Sequence, residues 1–386
     1  MKKGLLLLFT VLVAFTVFGC TNSTTEASIK VGLIVSAAGA NDNGYNEFAI
    51  NGLNQAAEDF NIDINVVSTA DDVPGSLEAL GEEGYNIVFS LEYNFDALIT
   101  DDGSGKSIAE KYPDTMFVVF NALANTNTTG AKVHDNVIEV LFNVNESSFL
   151  AGALAVLVNE SNDVLFTDSA YNFTPTSEAR ALGFVGGTQS SGITVFGYGF
   201  AEGANYIANQ MDVNYNLYET YAAGFGASQA NYTTIDSYFT SGVNVVFSAA
   251  GGVSTNMKNA AAANGKLSID VDANQDNSVP GSVLTSVLKN TNVAVYDIIS
   301  KYISNTLVGG VDVYYDLNSG ATGITDLATI SGFVSTSDAA QLRWNEIKAQ
   351  IETIRAQISN GTIDVIDAQA GEVLDFATLT HITKVN

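Results

Sequence analysis

The residues suited to binding a small molecule stand where β-rich runs of the sequence end. The run 29–35 is followed by a loop of Gly, Asn and Asp and then by Tyr45, in the first turn of a patterned helix. From there its ring can stack on a planar ligand, although a core aromatic would fit the same pattern. A later run ends at Asp272, whose carboxylate can accept hydrogen bonds from ligand hydroxyls. "SAAGG" (248–252) also follows such a run and can bring backbone amides close to a ligand, or form a tight turn.

The sequence contains few of the residue patterns that covalent catalysis requires. Its only histidines, His134 and His381, are far apart, and its only cysteine, Cys20, directly follows an N-terminal apolar run. The sequence contains no Ser-His-Asp order, GxSxG elbow or HExxH motif. We therefore predict a binding protein that is not an enzyme and that needs no cofactor and no metal.

Two further stretches resemble ion or phosphate sites but lack required residues. Acidic and Asn residues alternate through 270–276, yet an EF-hand loop needs Gly at its sixth position and Glu at its twelfth, where Gln275 and Gly281 stand. "GSGKS" (103–107) ends like a phosphate-binding loop, but Thr100 occupies the position of the first glycine. Neither stretch predicts a site of that kind.

The charge of the chain argues against polyanionic partners. It carries 42 acidic and 15 basic residues, for a formal net charge of -27. Such a surface repels nucleic acid and anionic lipid headgroups. We predict no nucleic-acid partner, and contact with the membrane only through a lipid anchor.

The N-terminus has the layout of a secretory signal. Lys2 and Lys3 precede an apolar run at 5–18, which is too short to span a bilayer and ends just before Cys20. This pattern predicts a lipoprotein signal peptide at 1–19, an acylated Cys20 and a flexible tether over 20–28. An ordinary cleaved signal with a coincidental cysteine is the alternative.

Strand-like and helix-like segments alternate along the rest of the chain, which predicts an α/β fold with doubly wound parallel sheets. There are too many strands for one sheet. We expect one lobe at 28–145 plus about 276–312, and a second at 146–275 plus about 313–386. Open α/β sheets bind ligands beyond the carboxyl ends of their strands, so two facing sheets would form a ligand cleft that closes by hinge motion.

Six motifs in succession resemble those of the basic membrane protein family, also called the PnrA-like nucleoside-binding lipoproteins of ABC importers. The resemblance implies a type I periplasmic-binding-protein fold, with a nucleoside between two lobes joined by a hinge. It also implies an ABC permease and its ATPase subunits as partners. The motifs are "NDNGYN" (41–46), "ESSFLAGALA" (146–155), "GFVGGTQSSGITVFGYGF" (183–200), "FSAAGG" (247–252), "DVDANQ" (270–275) and "VLTSVLK" (283–289).

The resemblance also implies residue roles. Tyr45 and Phe196 would stack on the base from opposite lobes, and Asp272 and Lys289 would bind the ribose hydroxyls. Asp42, which could equally cap the first helix, and Asn46 belong to the first motif, and Ala249 and Gly251 would line the pocket through their backbone. The implied site comprises Ser36, Asp42, Tyr45, Asn46, Asn121, Phe196, Ala249, Gly251, Asp272 and Lys289.

Two positions depart from the family pattern. Ser36 and Asn121 stand where the family commonly has Asp, near the base end of the ligand. A carboxylate suits the ring N–H of guanine or hypoxanthine, whereas Ser and Asn both donate and accept. We therefore predict a nucleoside receptor without assigning its base. A sugar receptor of the same fold, a nucleoside hydrolase and a sensor that signals through a partner are the alternatives.

Overall fold

Two β-sheets organise the computed structural model, which describes residues 28–68, 72–92, 96–101 and 103–385. The predicted signal peptide, Cys20 and nearly all of the tether lie outside the described residues. The first sheet contains β1 (Lys30–Ile34), β2 (Asp63–Val67), β3 (Ile87–Ser90), β4 (Met116–Phe120), β5 (Val137–Phe142) and β11 (Asp312–Tyr315). The second contains β6 (Ala181–Gly186), β7 (Tyr215–Thr220), β8 (Val245–Ala249), β9 (Leu267–Asp272), β10 (Val283–Lys289), β12 (Thr322–Ile324) and β13 (Ile382–Val385).

Both sheets are essentially parallel. The first has the order β2-β1-β3-β4-β5-β11, and every neighbouring pair is parallel. The second has the order β13-β7-β6-β8-β9-β10-β12, and only β12 is antiparallel to its neighbour. Strands such as β5 and β6 are buried along their whole length, as expected where helices cover both faces of a sheet. The predicted α/β class is confirmed.

The helices fill the connections between the strands. None of those in the described residues is both long and apolar enough to cross a bilayer. They are α1 (Tyr45–Phe60), α2 (Val73–Glu82), α3 (Asp96–Ile99), α4 (Ile108–Lys111), α5 (Val144–Asn159), α6 (Asn162–Leu165), α7 (Ser191–Met211), α8 (Gln229–Thr240), α9 (Val253–Asn264), α10 (Thr291–Ile303), α11 (Ala328–Ser331) and α12 (Asp338–Ser359), with short 3-10 turns at Ala368–Ala370 and Phe376–Thr378.

The chain passes between the sheets three times, after β5, after β10 and after β11. The sequence-based boundaries put the return to the first lobe at about residue 276, but β10 pairs with β9 and β12 in the second sheet. The return therefore begins with α10, which packs on α1 where Gly52 meets the backbone of Asn292. An apolar run predicts a strand but does not show which strands it pairs with. The sequence-based boundaries therefore placed β10 in the wrong lobe.

α5 packs closely against α7, and this contact fixes the position of α7 in the second lobe. Gly152 of α5 meets the carbonyl of Phe200, and Gly203 of α7 meets the carbonyl of Phe149. A methyl group at either glycine would overlap those backbone atoms. Glycine therefore lets the two helix backbones approach, and this contact holds α7, the helix that carries Phe196.

Gly203→Ala should lower the free energy of unfolding by about 1–3 kcal/mol, because the helices must separate to admit the added methyl group. Urea unfolding followed by circular dichroism measures the loss. Gly226→Ala is the matched control, since a methyl group there would have no atom of the described residues within 4 Å other than its own chain neighbours. Equal stability of the two variants would contradict the packing role of Gly203.

Candidate functional site

Lys289, the last residue of β10, lies at the centre of the candidate site. Its side chain is 6% exposed, and its ammonium Nζ lies 5.2 Å from the ring centroid of Tyr45 and 5.9 Å from that of Phe196. These distances are within cation–π range. Tyr45 begins α1 of the first lobe and Phe196 lies on α7 of the second. Three residues predicted from the sequence thus meet across the two lobes.

Phe142 is a fourth member of this cluster, and the sequence analysis missed it. It ends β5, its ring centroid is 5.5 Å from Lys289 Nζ, and it stacks on Tyr315 at 5.6 Å. In the sequence it closes an apolar run and looks like any core residue. Its position at the carboxyl end of a strand was the signal that could have identified it.

Asp272 lies beside this cluster at the end of β9. Its backbone has a φ of 67°, the left-handed region that non-glycine residues seldom adopt, and its Cβ approaches Gly44 at the start of α1. Burial raises the pKa of Asp272 to about 6, although the charge of Lys289 opposes this shift. Burial lowers the pKa of Lys289 to about 8, again opposed by its partner. Both groups therefore carry charge near neutral pH at an energetic cost.

Asn121 presents an acceptor next to the rings. It follows β4 with a φ of 63°, and its Nδ2 donates to the hydroxyl of Tyr45 at 2.7 Å. The tyrosine hydroxyl donates onward to the carbonyl of Leu91 at 3.3 Å. The Oδ1 of Asn121 is buried and accepts from no donor among the residues that the structure describes. A strained backbone and an unpaired acceptor at one residue are typical of a binding site.

Ser36, Asn46 and Asp42 hold the loop and the helix that present Tyr45. Asn46 is fully buried; its Oδ1 accepts from the amide of Ser36 and its Nδ2 donates to the Ser36 hydroxyl, both at 2.9 Å. The carboxylate of Asp42 accepts from three backbone amides at the start of α1, at 2.9–3.1 Å. The helix-cap interpretation of Asp42 is confirmed. These three side chains position the site.

Ala249 and Gly251 lie at the same edge of the second sheet, one strand away from Asp272. The carbonyl of Ala249 accepts from the amide of Gly187 at 3.2 Å. Gly251 has a φ of 51° and lies against Phe225. A hydrogen bond from a side chain to the backbone joins the two lobes at this rim, because Gln275 Nε2 donates to the carbonyl of Asn43 at 2.8 Å.

Apart from Asp272, the acids of the alternating stretch 270–276, which begins within β9, serve the fold. Asp270 forms an ion pair with Lys258 at 2.8 Å, and Asp276 accepts from the hydroxyl of Ser286 at 2.7 Å. Within the described ranges, no cluster of three His, Cys, Asp or Glu side chains could hold a metal ion.

Lys289→Met should raise the pKa of Asp272 further above 6, because the ammonium that opposes the burial effect is removed. In the ligand-free wild type, the stability contributed by Asp272 is lost as the pH rises from 3.8 to about 6. In the variant this loss should continue above pH 6. The gain that the wild type shows between about pH 8 and 10.5, as Lys289 deprotonates, should be absent.

Urea unfolding of the wild type and of Lys289→Met between pH 3.8 and 10.5 measures this difference in stability. Lys106→Met, at an exposed loop lysine, is the matched control and should keep the wild-type profile. Parallel profiles for Lys289→Met and the wild type would contradict the coupling of the two groups.

Comparisons with known proteins identify the family and the fold of the chain. Residues 29–365 match the family model described as ABC transporter substrate-binding protein PnrA-like. The ABC transporter nucleoside-binding protein BmpA of Lactococcus lactis subsp. cremoris is 24% identical, over 89% of this chain and 91% of its own. An uncharacterized lipoprotein of Pyrococcus abyssi is 26% identical, over 86% of this chain and 78% of its own.

The solved structure of an ABC transporter solute-binding protein from Aeropyrum pernix K1 matches the fold with a TM-score of 0.70. It is 23% identical and covers 91% of this chain and 95% of its own. The family consists of binding proteins, which confirms that the chain is not an enzyme. The chain belongs to the PnrA-like family of ABC transporter substrate-binding proteins.

Proposed function

We propose that this protein captures nucleosides outside the cytoplasmic membrane and delivers them to an ABC permease and its ATPase subunits. The observation that carries the proposal is the meeting of Tyr45, Phe196 and Lys289 across the two lobes. Membership of a substrate-binding family already implies a small-molecule ligand and transporter partners. The chemistry of the site supports the choice of ligand.

The rings suit a flat heterocycle. Tyr45 and Phe196 come from opposite lobes, so a base between them would be stacked on both faces when the lobes close. Stacking on an aromatic side chain contributes about 1–3 kcal/mol per base in other proteins. The ammonium of Lys289 now lies near both rings, so a base entering between them would have to displace it.

The charged pair suits a ribose. The carboxylate of Asp272 can accept from two vicinal hydroxyls, and the ammonium of Lys289 can donate back. Because burial disfavours both charges, hydroxyls that bond to them lower the cost of keeping them ionised. The pair therefore favours a ribonucleoside over a deoxyribonucleoside or a free base.

The polar groups beside the rings suit the edge of the base. The unpaired Oδ1 of Asn121 can accept from a ring or exocyclic N–H. The hydroxyl of Ser36 already accepts from Asn46, which limits the bonds it can offer to a ligand. A neutral acceptor at Asn121 is compatible with adenosine and with pyrimidine nucleosides as ligands.

The proposed anchor is the acylated Cys20, at the end of the signal peptide 1–19. The tether 20–28 would let the two lobes reach a permease in the same membrane. A relative from Pyrococcus abyssi that is named a lipoprotein supports this arrangement. The proposed location is the extracytoplasmic face of the cell membrane.

A thermal-shift panel tests the ligand on protein lacking residues 1–20. A ribonucleoside at 100 times its dissociation constant should add about 2.7 kcal/mol of stability. Free ribose and free bases should give much smaller shifts. A shift with ribose and none with nucleosides would favour the sugar-receptor alternative, and release of free base would favour the hydrolase.

The variant Asp272→Asn should weaken ribonucleoside binding by about 100-fold, because a carboxylate contributes roughly twice the hydrogen-bond strength of a neutral acceptor. Isothermal calorimetry measures the loss. Asp163→Asn removes an exposed acid elsewhere and should bind like the wild type. Unchanged affinity in Asp272→Asn would overturn the ribose contact.

Asn121→Asp should shift base preference towards inosine and guanosine by about 10-fold relative to adenosine, because their ring N–H bonds well to a carboxylate. Competition binding with the three nucleosides measures the ratio. Asn51→Asp adds the same charge on the exposed face of α1 and should leave the ratio unchanged. An equal ratio in both variants would mean that Asn121 does not contact the base.

A further inference from the structure

The side chain of Gln275 reaches from one lobe to the other beside the candidate site. Gln275 lies in the loop after β9 of the second lobe, and Asn43, whose carbonyl accepts from its Nε2 at 2.8 Å, lies in the loop before α1 of the first lobe. Neither residue lies at one of the chain crossings after β5, β10 and β11. The bond can therefore break when the lobes separate, without any helix or strand coming apart.

The first lobe holds the acceptor in place. The carboxylate of Asp42 accepts from three backbone amides at the start of α1, and that of Glu47 is one of them, at 3.1 Å. In a regular helix the amide of Glu47 would donate to the carbonyl of Asn43, four residues earlier. Because Glu47 donates to Asp42 instead, the carbonyl of Asn43 is available to the second lobe. Asn43 itself has a φ of 53°, a left-handed conformation that asparagine tolerates better than most residues.

The second lobe holds the donor in place. The backbone amide of Gln275 donates to Ser286 Oγ at 3.0 Å, and that hydroxyl donates to Asp276 Oδ1 at 2.7 Å. The side-chain Oε1 of Gln275 accepts from Lys258 Nζ at 3.4 Å. Lys258 is 9% exposed and forms an ion pair with Asp270 at 2.8 Å. The loop and the side chain of Gln275 are thus anchored on β9, β10 and α9.

These contacts leave one orientation for the amide group of Gln275. An ammonium only donates hydrogen bonds, and a backbone carbonyl only accepts them. Oε1 must therefore face Lys258, and Nε2 must face Asn43. Since Lys258 belongs to the same lobe as Gln275, the amide keeps this orientation when the lobes separate. A donor that is already oriented loses less freedom when the bond forms.

The bond uses none of the groups that we propose to contact the ligand. A base entering between the rings of Tyr45 and Phe196 would displace the ammonium of Lys289, which now joins the lobes there. The bond from Gln275 to Asn43 can persist while that contact is lost. One exposed hydrogen bond is worth a factor of about 3–10 in an equilibrium, so it favours the closed form and still lets the lobes open.

We propose that Gln275 is a positioning residue that acts as a latch, holding the two lobes together over a bound ligand through the carbonyl of Asn43. Water can replace the bond at both ends, so the latch opens reversibly. The ligand enters the open form, in which the bond is absent, so the latch slows dissociation and leaves association nearly unchanged. This inference rests on the proposed capture of a ligand between the lobes, but not on that ligand being a nucleoside.

Surface plasmon resonance with adenosine and with uridine on the purified full chain measures both rates. Gln275→Glu keeps the size of the side chain and still accepts from Lys258, but it cannot donate to Asn43 and turns a charge towards that carbonyl. It should release nucleoside about 10-fold faster than the wild type, with an association rate changed by less than about 2-fold. Gln275→Met removes the donor without adding a charge and should release about 3-fold faster.

Gln341→Glu is the matched control. The Nε2 of Gln341 also donates to a backbone carbonyl, that of Ser335 at 2.9 Å, but both residues belong to the second lobe. This variant should release nucleoside at the wild-type rate. Release from Gln275→Glu at the wild-type rate, or equally fast release from Gln341→Glu, would overturn the latch. Equal changes of the association and dissociation rates in Gln275→Glu would also overturn it, because they would indicate a distorted site.

Small-angle X-ray scattering of the ligand-free proteins separates failure of the latch from failure of the proposed function. Gln275→Glu should populate the open form more and have a larger radius of gyration than the wild type and Gln341→Glu. If neither nucleoside binds to the wild type, the proposed ligand is wrong, and the scattering alone decides about the latch. A larger radius in Gln275→Glu would then support it, and equal radii would overturn it.

Discussion

The burial of an ammonium group between two lobes is the constraint around which this structure is arranged. Lys289 lies among three rings, and its charge is opposed by desolvation and supported by Asp272. A buried pair of this kind contributes little stability by itself, because the cost of removing two charges from water offsets their attraction. In the proposed complex, a ligand that bonds to both groups would offset this cost. The site would then be best satisfied when it is occupied, as expected of a receptor that closes around its ligand.

Much of the surrounding sequence holds these groups in place. Asp42 and Asn46 bind the start of α1 and the loop before it, which fixes Tyr45. Glycines in α5 and α7 let those helices pack at backbone distance, which fixes Phe196. Asn121, directly after β4, and Asp272, the last residue of β9, adopt left-handed backbone conformations. Strain of this kind persists only where the neighbouring structure enforces it, and here it occurs at two positions of the candidate site.

Perturbed pKa values are also typical of catalytic groups, so the shifts at Asp272 and Lys289 alone would not distinguish a receptor from an enzyme. The family of the chain makes that distinction. In the proposed receptor, the same burial would serve affinity and selectivity, since a ligand lacking the right hydroxyls would leave both charges without a ligand partner.

The sequence by itself determined the class of the fold and the family, because strand and helix periods and the six ordered motifs are local features of the sequence. It also predicted Tyr45, Phe196 and Lys289, which meet in the structure. It could not reveal that Phe142 joins Lys289, since a strand-end phenylalanine looks the same whether it faces a core or a cleft. Nor could it assign β10 to the second sheet, because strand partners are chosen by contacts far apart in the chain. Only the tertiary structure decided that residues 45, 142, 196 and 289 share one space, since their meeting depends on how two sheets face each other.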